Sequence, residues 1–170
     1  MHLINPRILL FSRPIRSGKT TDLCRAFGNT KGVGGFLTPD REGIRMLYDL
    51  QTSHWHSFEV FPNSSEPALA IGKFLFAQAA FKKAKALLKT ECELLIVDEV
   101  GKLETLHHSG LEPELTLLIE AYRLGRRKGR LLLVVRDTLL DAVVAKYGLE
   151  DAPVNASLEE IRYLLPEAFQ

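Results

Sequence analysis

Residues 12–21 carry the side chains in this sequence that are best suited to binding phosphate. The stretch follows a short apolar run, Ile8-Leu9-Leu10-Phe11, and leads into a segment with helical periodicity. The first backbone N–H groups of a helix have no intrahelical partner, and the helix dipole adds positive potential there, so such a turn attracts anions. A loop between a strand and a helix with this composition predicts a phosphate-binding loop.

Three consecutive residues give this loop its chemistry. Gly18 lets the backbone approach an oxygen closely, Lys19 can reach the β- and γ-phosphates, and the hydroxyl of Thr20 can ligate Mg²⁺. We therefore predict that the loop binds a nucleoside triphosphate, such as ATP or GTP, with magnesium as cofactor. The predicted nucleotide-binding residues are Arg13, Pro14, Ile15, Arg16, Ser17, Gly18, Lys19, Thr20 and Thr21.

The loop departs from the full phosphate-loop pattern at one position. The pattern has glycine five residues before Gly18, whereas this chain has Arg13. If that position requires a positive φ, a residue other than glycine costs about 1–2 kcal/mol there. Arginine can also compensate by contacting phosphate itself, and the sequence leaves both possibilities open.

Acidic and basic residues follow two further apolar runs. Asp98 and Glu99 come directly after Leu94-Leu95-Ile96-Val97, and Arg136 follows the run at 131–135. Ligands of open α/β sheets bind at the carboxyl ends of the strands. Asp98 is therefore predicted to hold the metal together with Thr20, and Glu99 to polarise the attacking water. Arg136 is predicted to stabilise charge on the γ-phosphate, although a salt-bridged strand end is the alternative.

Strands and helices alternate along the chain, which predicts the fold that positions these residues. Such alternation favours a parallel sheet covered on both faces, so we predict an α/β, three-layer P-loop fold with a mainly parallel central sheet. Further strands are predicted at 33–37 and 131–135. Helices are predicted at 18–27, from Pro113 with an inner face of Leu111, Leu115, Leu118 and Tyr122, at 139–147, and from the capping box of Ser157 and Glu160.

The middle of the chain adds two further expectations. Apolar runs at 44–50 and 55–61 predict a β-hairpin near residues 44–61. A stripe at helical spacing predicts a long helix over 67–90. The residues of that stripe are Phe74, Ala77, Phe81, Ala84 and Leu88.

Length and composition exclude several classes of protein. The 170 residues fit one domain spanning 1–170, and the formal net charge of +1 does not favour nucleic acid or an anionic membrane as a partner. The basic cluster at 126–130 is interpreted as a helix C-terminus with a solvated turn. No signal peptide and no membrane span are predicted, which makes the cytoplasm the expected location. Protein partners are not indicated.

With these motifs in view, the sequence resembles the THEP-type nucleoside triphosphatases, a family of P-loop proteins. The resemblance rests on Ser17-Gly18-Lys19-Thr20-Thr21, on Gly34-Gly35-Phe36-Leu37-Thr38-Pro39 with Arg41-Glu42-Gly43, and on Val97-Asp98-Glu99-Val100-Gly101-Lys102-Leu103-Glu104. It implies magnesium-dependent hydrolysis of nucleoside triphosphates with broad base tolerance. It also implies that Lys19 and Thr20 bind phosphate and metal, that Asp98 supports the metal and that Glu99 is the general base. The chain departs from the family at Arg13 and Arg16, where glycine is usual.

Two other functions fit the same residues. In a P-loop kinase, Glu99 would activate the hydroxyl of a small-molecule or nucleotide acceptor instead of water. In a non-catalytic nucleotide-binding module, Arg13 and Arg16 would mark a degenerate phosphate loop.

Overall fold

The computed structural model describes residues 6–169. Its strands are β1 (Ile8–Arg13), β2 (Val33–Leu37), β3 (Asp40–Arg41), β4 (Ile44–Asp49), β5 (Trp55–Ser57), β6 (Glu59–Val60), β7 (Ala68–Ile71), β8 (Phe74–Ala77), β9 (Leu94–Val100), β10 (Arg130–Arg136) and β11 (Val154–Asn155). Its helices are α1 (Lys19–Phe27), α2 (Gln78–Leu87), α3 (Lys102–Leu106), α4 (Glu114–Arg123), α5 (Leu140–Tyr147) and α6 (Leu158–Leu164). Short 3₁₀ turns lie at Asp137–Leu139 and Glu167–Phe169. Residues 1–5, where no leader segment is predicted, lie outside this description.

The main sheet has five parallel strands in the order β11-β1-β10-β9-β2. Strand β4 continues the sheet antiparallel to β2. It also pairs antiparallel with β3 through Ile44 and Arg45, and with β5 through residues 46–48. Strands that are buried on both faces consist of continuous apolar runs, as β1, β9 and β10 do here. The predicted α/β class with a mainly parallel sheet is confirmed.

Helices cover both faces of this sheet. On one face α1 and α6 pack through Leu23, Phe27 and Ile161. On the other face α2, α4 and α5 pack through side chains that include Ala84, Tyr122 and Val143. The inner face predicted for α4 is confirmed, and so is the capping box that opens α6. Among the described residues, no helix has the length and apolar character that crossing a bilayer requires.

The helix predicted over 67–90 is wrong in its first half. Residues 68–77 form the hairpin β7–β8 of a separate three-stranded sheet, and only Gln78–Leu87 is helical. Gly72 adopts a φ of 58° in the turn, a conformation that ends helical hydrogen bonding and that glycine tolerates well. The alternating apolar residues on either side then pair as strands, because a short apolar run fits both periodicities.

The predicted hairpin near 44–61 is confirmed only for β4 and β5, which pair antiparallel. The last part of that region, β6, pairs with β8 in the three-stranded sheet instead. A chain segment with two possible partners takes the one that tertiary packing brings next to it, and local pattern does not reveal that choice.

Gly35 permits β2 to pass close to β9, which predicts a large effect of substitution. Its φ is +88°, and a Cβ at this position would lie 2.0 Å from the carbonyl oxygen of Ile96. We expect Gly35→Ala to lower the free energy of unfolding by about 2–5 kcal/mol, from backbone strain together with overpacking. Urea unfolding measures this change.

Gly72→Ala is the matched control for that experiment. Gly72 also has a positive φ of +58°, but a Cβ there would meet nothing within 4 Å. We expect it to cost only the backbone strain, about 1–2 kcal/mol. Equal losses in the two variants would show that the contact between Gly35 and β9 does not limit stability.

Candidate phosphate and metal site

The loop after β1 has the backbone geometry of an anion site. Helix α1 begins at Lys19, Gly18 before it has a φ of 84°, and no side chain caps the first turn. The first amide groups of α1 are therefore available to a ligand. A Cβ at Gly18 would meet no atom within 4 Å, so the space in front of this turn is open to an approaching phosphate.

Lys19 is held beneath the loop. Its side chain is buried, and Nζ donates to the carbonyl oxygens of Arg13 (3.0 Å) and Pro14 (2.9 Å). Burial lowers the pKa of Lys19, while the charges of Asp98 and Glu99 act in the opposite direction. An ammonium group has three donors, so one remains for a ligand oxygen. The lysine is thus positioned before any anion arrives.

Arg13 fastens the loop to α1. Its guanidinium forms an ion pair with Asp22 at 2.8 Å and donates to the carbonyl of Ser17. The positive φ that glycine would favour occurs at Arg16 (59°) and not at Arg13. Arg13 therefore carries no strain from a positive φ. Its guanidinium contacts Asp22 of α1 and the carbonyl of Ser17 in the loop.

Asp98 is the buried acid of the site. Its Oδ2 accepts hydrogen bonds from Thr20 Oγ1 (2.9 Å) and from Thr38, through the backbone N–H (2.9 Å) and Oγ1 (3.2 Å). Burial raises the pKa of Asp98 to about 6, and the nearby charge of Glu99 adds to the rise. Its Oδ1 is buried and has no hydrogen-bond partner among residues 6–169. Oδ2 of Asp98 is therefore held by three hydrogen bonds, whereas Oδ1 makes none with the described residues.

These oxygens fit a magnesium ion. Mg²⁺ prefers oxygen ligands and is usually bound by one or two carboxylates together with substrate phosphates and water. Asp98 Oδ1 and Thr20 Oγ1 can supply the protein's share of such a set. Within the described part of the chain, no cluster of three or more His, Cys, Asp or Glu forms a metal cage. The buried hydroxyls of Ser12 and Ser17 also have no partner in that part of the chain.

A β-bulge turns Glu99 toward the same edge as Asp98. The register of β9 against β10 shifts between Leu133 and Val135, which gives β9 one additional residue. Glu99 has a φ of 55° at this point. Neighbouring side chains of a regular strand point to opposite faces, and a bulge re-aims one of them. The bulge is what permits two consecutive acids to serve one site.

Both carboxylate oxygens of Glu99 are paired with arginines. Arg136 at the end of β10 donates to Oε1 at 3.0 Å, and Arg45 of β4 donates to Oε2 at 2.5 Å. Arg136 lies at the carboxyl edge as predicted, and its ion pair with Glu99 is the salt-bridged strand end that the sequence offered as the alternative to a contact with phosphate. The pairing of Arg45 with Glu99 was not predicted, and neither were the hydrogen bonds from Thr38 to Asp98. Thr38 directly follows β2 at the carboxyl edge, which is the signal that identifies it. Arg45 stands in the sequence beside Glu42-Gly43, where a role in the nucleotide pocket and simple solvation are equally compatible with its position, and its strand joins the sheet antiparallel.

Three other residues of the predicted loop lie at its surface. Pro14, Ile15 and Thr21 are exposed.

Glu104, close to the acids in sequence, accepts hydrogen bonds from the backbone N–H groups of Gly101 and Leu111. It orders the turn after β9 in this way and does not hold a side chain at the phosphate loop.

Two solved structures share the fold that positions these residues. The solution structure of a human cancer-related nucleoside triphosphatase aligns with a TM-score of 0.59 and 19% identity, over 92% of this chain and 92% of that chain. The crystal structure of THEP1 from Aquifex aeolicus aligns with a TM-score of 0.60 and 17% identity, over 94% of this chain and 99% of that one. No family model and no curated protein matches the sequence.

Proposed function

We propose, from the THEP-type P-loop fold of this chain, that it is a magnesium-dependent nucleoside triphosphatase that converts an NTP to NDP and phosphate. The hydrogen bond between Thr20 and Asp98 is the observation that carries the proposal. It joins the phosphate loop to an acid 78 positions away, and the second oxygen of that acid has no hydrogen-bond partner in the part of the chain that the structure describes. A hydroxyl and a carboxylate in this arrangement would hold a magnesium ion, which would supply positive charge beside a bound phosphate.

In this proposal the loop binds the polyphosphate before the reaction. Amide groups at the start of α1 and the ammonium of Lys19 would contact the β- and γ-phosphates. Thr20 and Asp98 would hold Mg²⁺, which supplies charge neutralisation and polarisation of the phosphoryl oxygens when bound.

Glu99 would act on the attacking water. It accepts a proton as the water oxygen forms its bond to the γ-phosphorus, and the bond from that phosphorus to the β–γ bridging oxygen breaks. The products are NDP and inorganic phosphate. Arg136, which reaches the same carboxylate at 3.0 Å, would stabilise the charge on the transferred group.

The proposed substrates are ATP, GTP and the other nucleoside triphosphates. Each contact proposed above is made to phosphate, metal or water, so none of them distinguishes one base from another. Broad base tolerance follows as part of the proposal.

The experiment that tests this function is a malachite-green phosphate assay across ATP, GTP, CTP and UTP, with magnesium and with EDTA. We expect phosphate release that requires the metal and differs little among the four bases. Folded, metal-replete protein that releases phosphate from none of them would contradict the proposal. Including nucleosides and nucleoside monophosphates separates hydrolysis from a kinase reaction, in which an acceptor would become phosphorylated.

A further inference from the structure

One carboxylate at the carboxyl edge of the sheet holds two guanidinium groups. Glu99 accepts from Arg45 Nη1 at 2.5 Å and from Arg136 Nη2 at 3.0 Å, one on each oxygen. The three side chains are only 25–33% exposed. Each oxygen of Glu99 therefore already accepts one charged donor, and one lone-pair position remains on each. Release of the two arginines would leave both oxygens open to the attacking water.

Arg45 is held in place by contacts with β3 and β6. It pairs in register with Asp40, whose Oδ1 lies 3.6 Å from its Nε, and its backbone N–H donates to Glu59 at 3.2 Å. The three residues belong to β3, β4 and β6, outside the parallel part of the sheet. The hairpin thus delivers a second arginine from the side of the site opposite the phosphate loop.

The charges at this edge favour an incoming anion. Arg45 and Arg136 both pair with Glu99, and the further partner of Arg45 is the exposed Asp40, 3.6 Å from Nε. Lys19 nearby is bonded to backbone carbonyls rather than to a carboxylate. A terminal phosphate carries more negative charge than a carboxylate and offers three oxygens to the fork of an arginine. It therefore competes well with Glu99 for both guanidinium groups.

We propose that Arg45 is a binding residue for the terminal phosphate of a triphosphate and that Glu99 holds it in place until that phosphate arrives. The proposal rests on the nucleotide-hydrolysing function proposed above. Binding of the γ-phosphate draws Arg45 and Arg136 away from Glu99, and the freed carboxylate then faces the water. A diphosphate has no group at this position, so the arginines return to Glu99 after hydrolysis. Arg45 thereby distinguishes substrate from product.

Calorimetry with two ligands tests this assignment. Binding of Mg-ADP and of the non-hydrolysable Mg-AMP-PNP is measured for the wild-type protein and for Arg45→Gln. We expect Arg45→Gln to weaken AMP-PNP about 10- to 100-fold, the effect of losing a hydrogen-bonded charge pair, and to leave ADP within about twofold. In steady-state hydrolysis the same variant is expected to raise KM and to lower kcat.

Arg41→Gln is the matched control. Arg41 lies on the same hairpin, and its substitution removes the same charge. The Arg41 guanidinium, however, lies over the ring of Trp55, 5.1 Å from the centroid of that ring. We expect wild-type affinity for both ligands. Arg45→Lys retains a charge without the fork, and we expect it to recover part of the preference for AMP-PNP.

Several results would overturn the assignment. One is that Arg45→Gln weakens the binding of both ligands equally, or of neither. If that variant does not fold, an Arg45→Lys protein with the full wild-type preference for AMP-PNP would overturn it as well. If the wild-type protein hydrolyses NTP and the Arg45→Gln protein keeps the wild-type preference for AMP-PNP over ADP, only the role of Arg45 is contradicted. Wild-type protein that binds neither nucleotide contradicts the proposed function too.

Discussion

Replacing Lys19 with alanine is expected to reduce kcat/KM for NTP hydrolysis by at least about 100- to 1,000-fold, the size of effect seen when one preorganised electrostatic donor is removed. The ammonium is already held by the carbonyls of Arg13 and Pro14 before a nucleotide binds. It therefore needs little reorganisation when charge develops on the phosphate. Phosphate release under saturating and subsaturating NTP, with magnesium, measures the loss.

Lys82→Ala is the control for this variant. Lys82 is exposed on α2, so its removal changes the net charge equally without touching the phosphate loop, and we expect wild-type rates. Thermal unfolding of both variants verifies that the loop substitution leaves the fold intact. Rates for Lys19→Ala within a few-fold of wild type would place the reacting phosphate somewhere other than this loop.

Replacing Glu99 with glutamine is expected to reduce kcat by about 100- to 10,000-fold, because a positioned general base contributes that much and an amide cannot accept the proton. Nucleotide binding should persist, since the loop and Asp98 are unchanged. The substitution removes the carboxylate that holds Arg45 and Arg136. We therefore expect triphosphate affinity to be retained or increased. Single-turnover hydrolysis and calorimetry with Mg-AMP-PNP measure the two effects separately.

Glu91→Gln serves as the control, because Glu91 is exposed and lies before β9, at the opposite end of that strand from Glu99. It should behave as wild type. Unchanged turnover in Glu99→Gln would argue against its role as base. If nucleotide also bound tightly without turnover in the wild-type protein, the chain would be a nucleotide-binding module and not an enzyme.

Much of the fold follows from local pattern. The apolar runs of β1, β9 and β10 predict buried parallel strands, and the spacing of Leu115, Leu118 and Tyr122 predicts the inner face of α4. The segment at 68–77 is the counterexample. Its apolar residues satisfy a helical stripe, yet Gly72 turns the chain and the two sides pair as β7 and β8. Short apolar runs carry both periodicities, and only their tertiary partners decide between them.

The chemical groups of the proposed phosphate loop were determined by the sequence itself. A glycine, a lysine and a threonine at the start of a helix present amides, an ammonium and a hydroxyl on the same turn, since local backbone geometry is enough to bring them together. The position of two consecutive acids at the end of β9 was likewise visible in the sequence.

What joins those parts was decided by the tertiary structure. Strand β10 lies between β1 and β9, which places Arg136 beside Glu99. Three further features depend on pairing between segments that are distant in the sequence. They are the bulge at Glu99, the hydrogen bonds that Thr38 donates to Asp98, and the ion pair between Arg45 and Glu99. Strand order and register arise from the packing of whole faces against one another. No local arrangement of residues encodes that packing, and so the sequence predicted the chemical groups but not all of their partners.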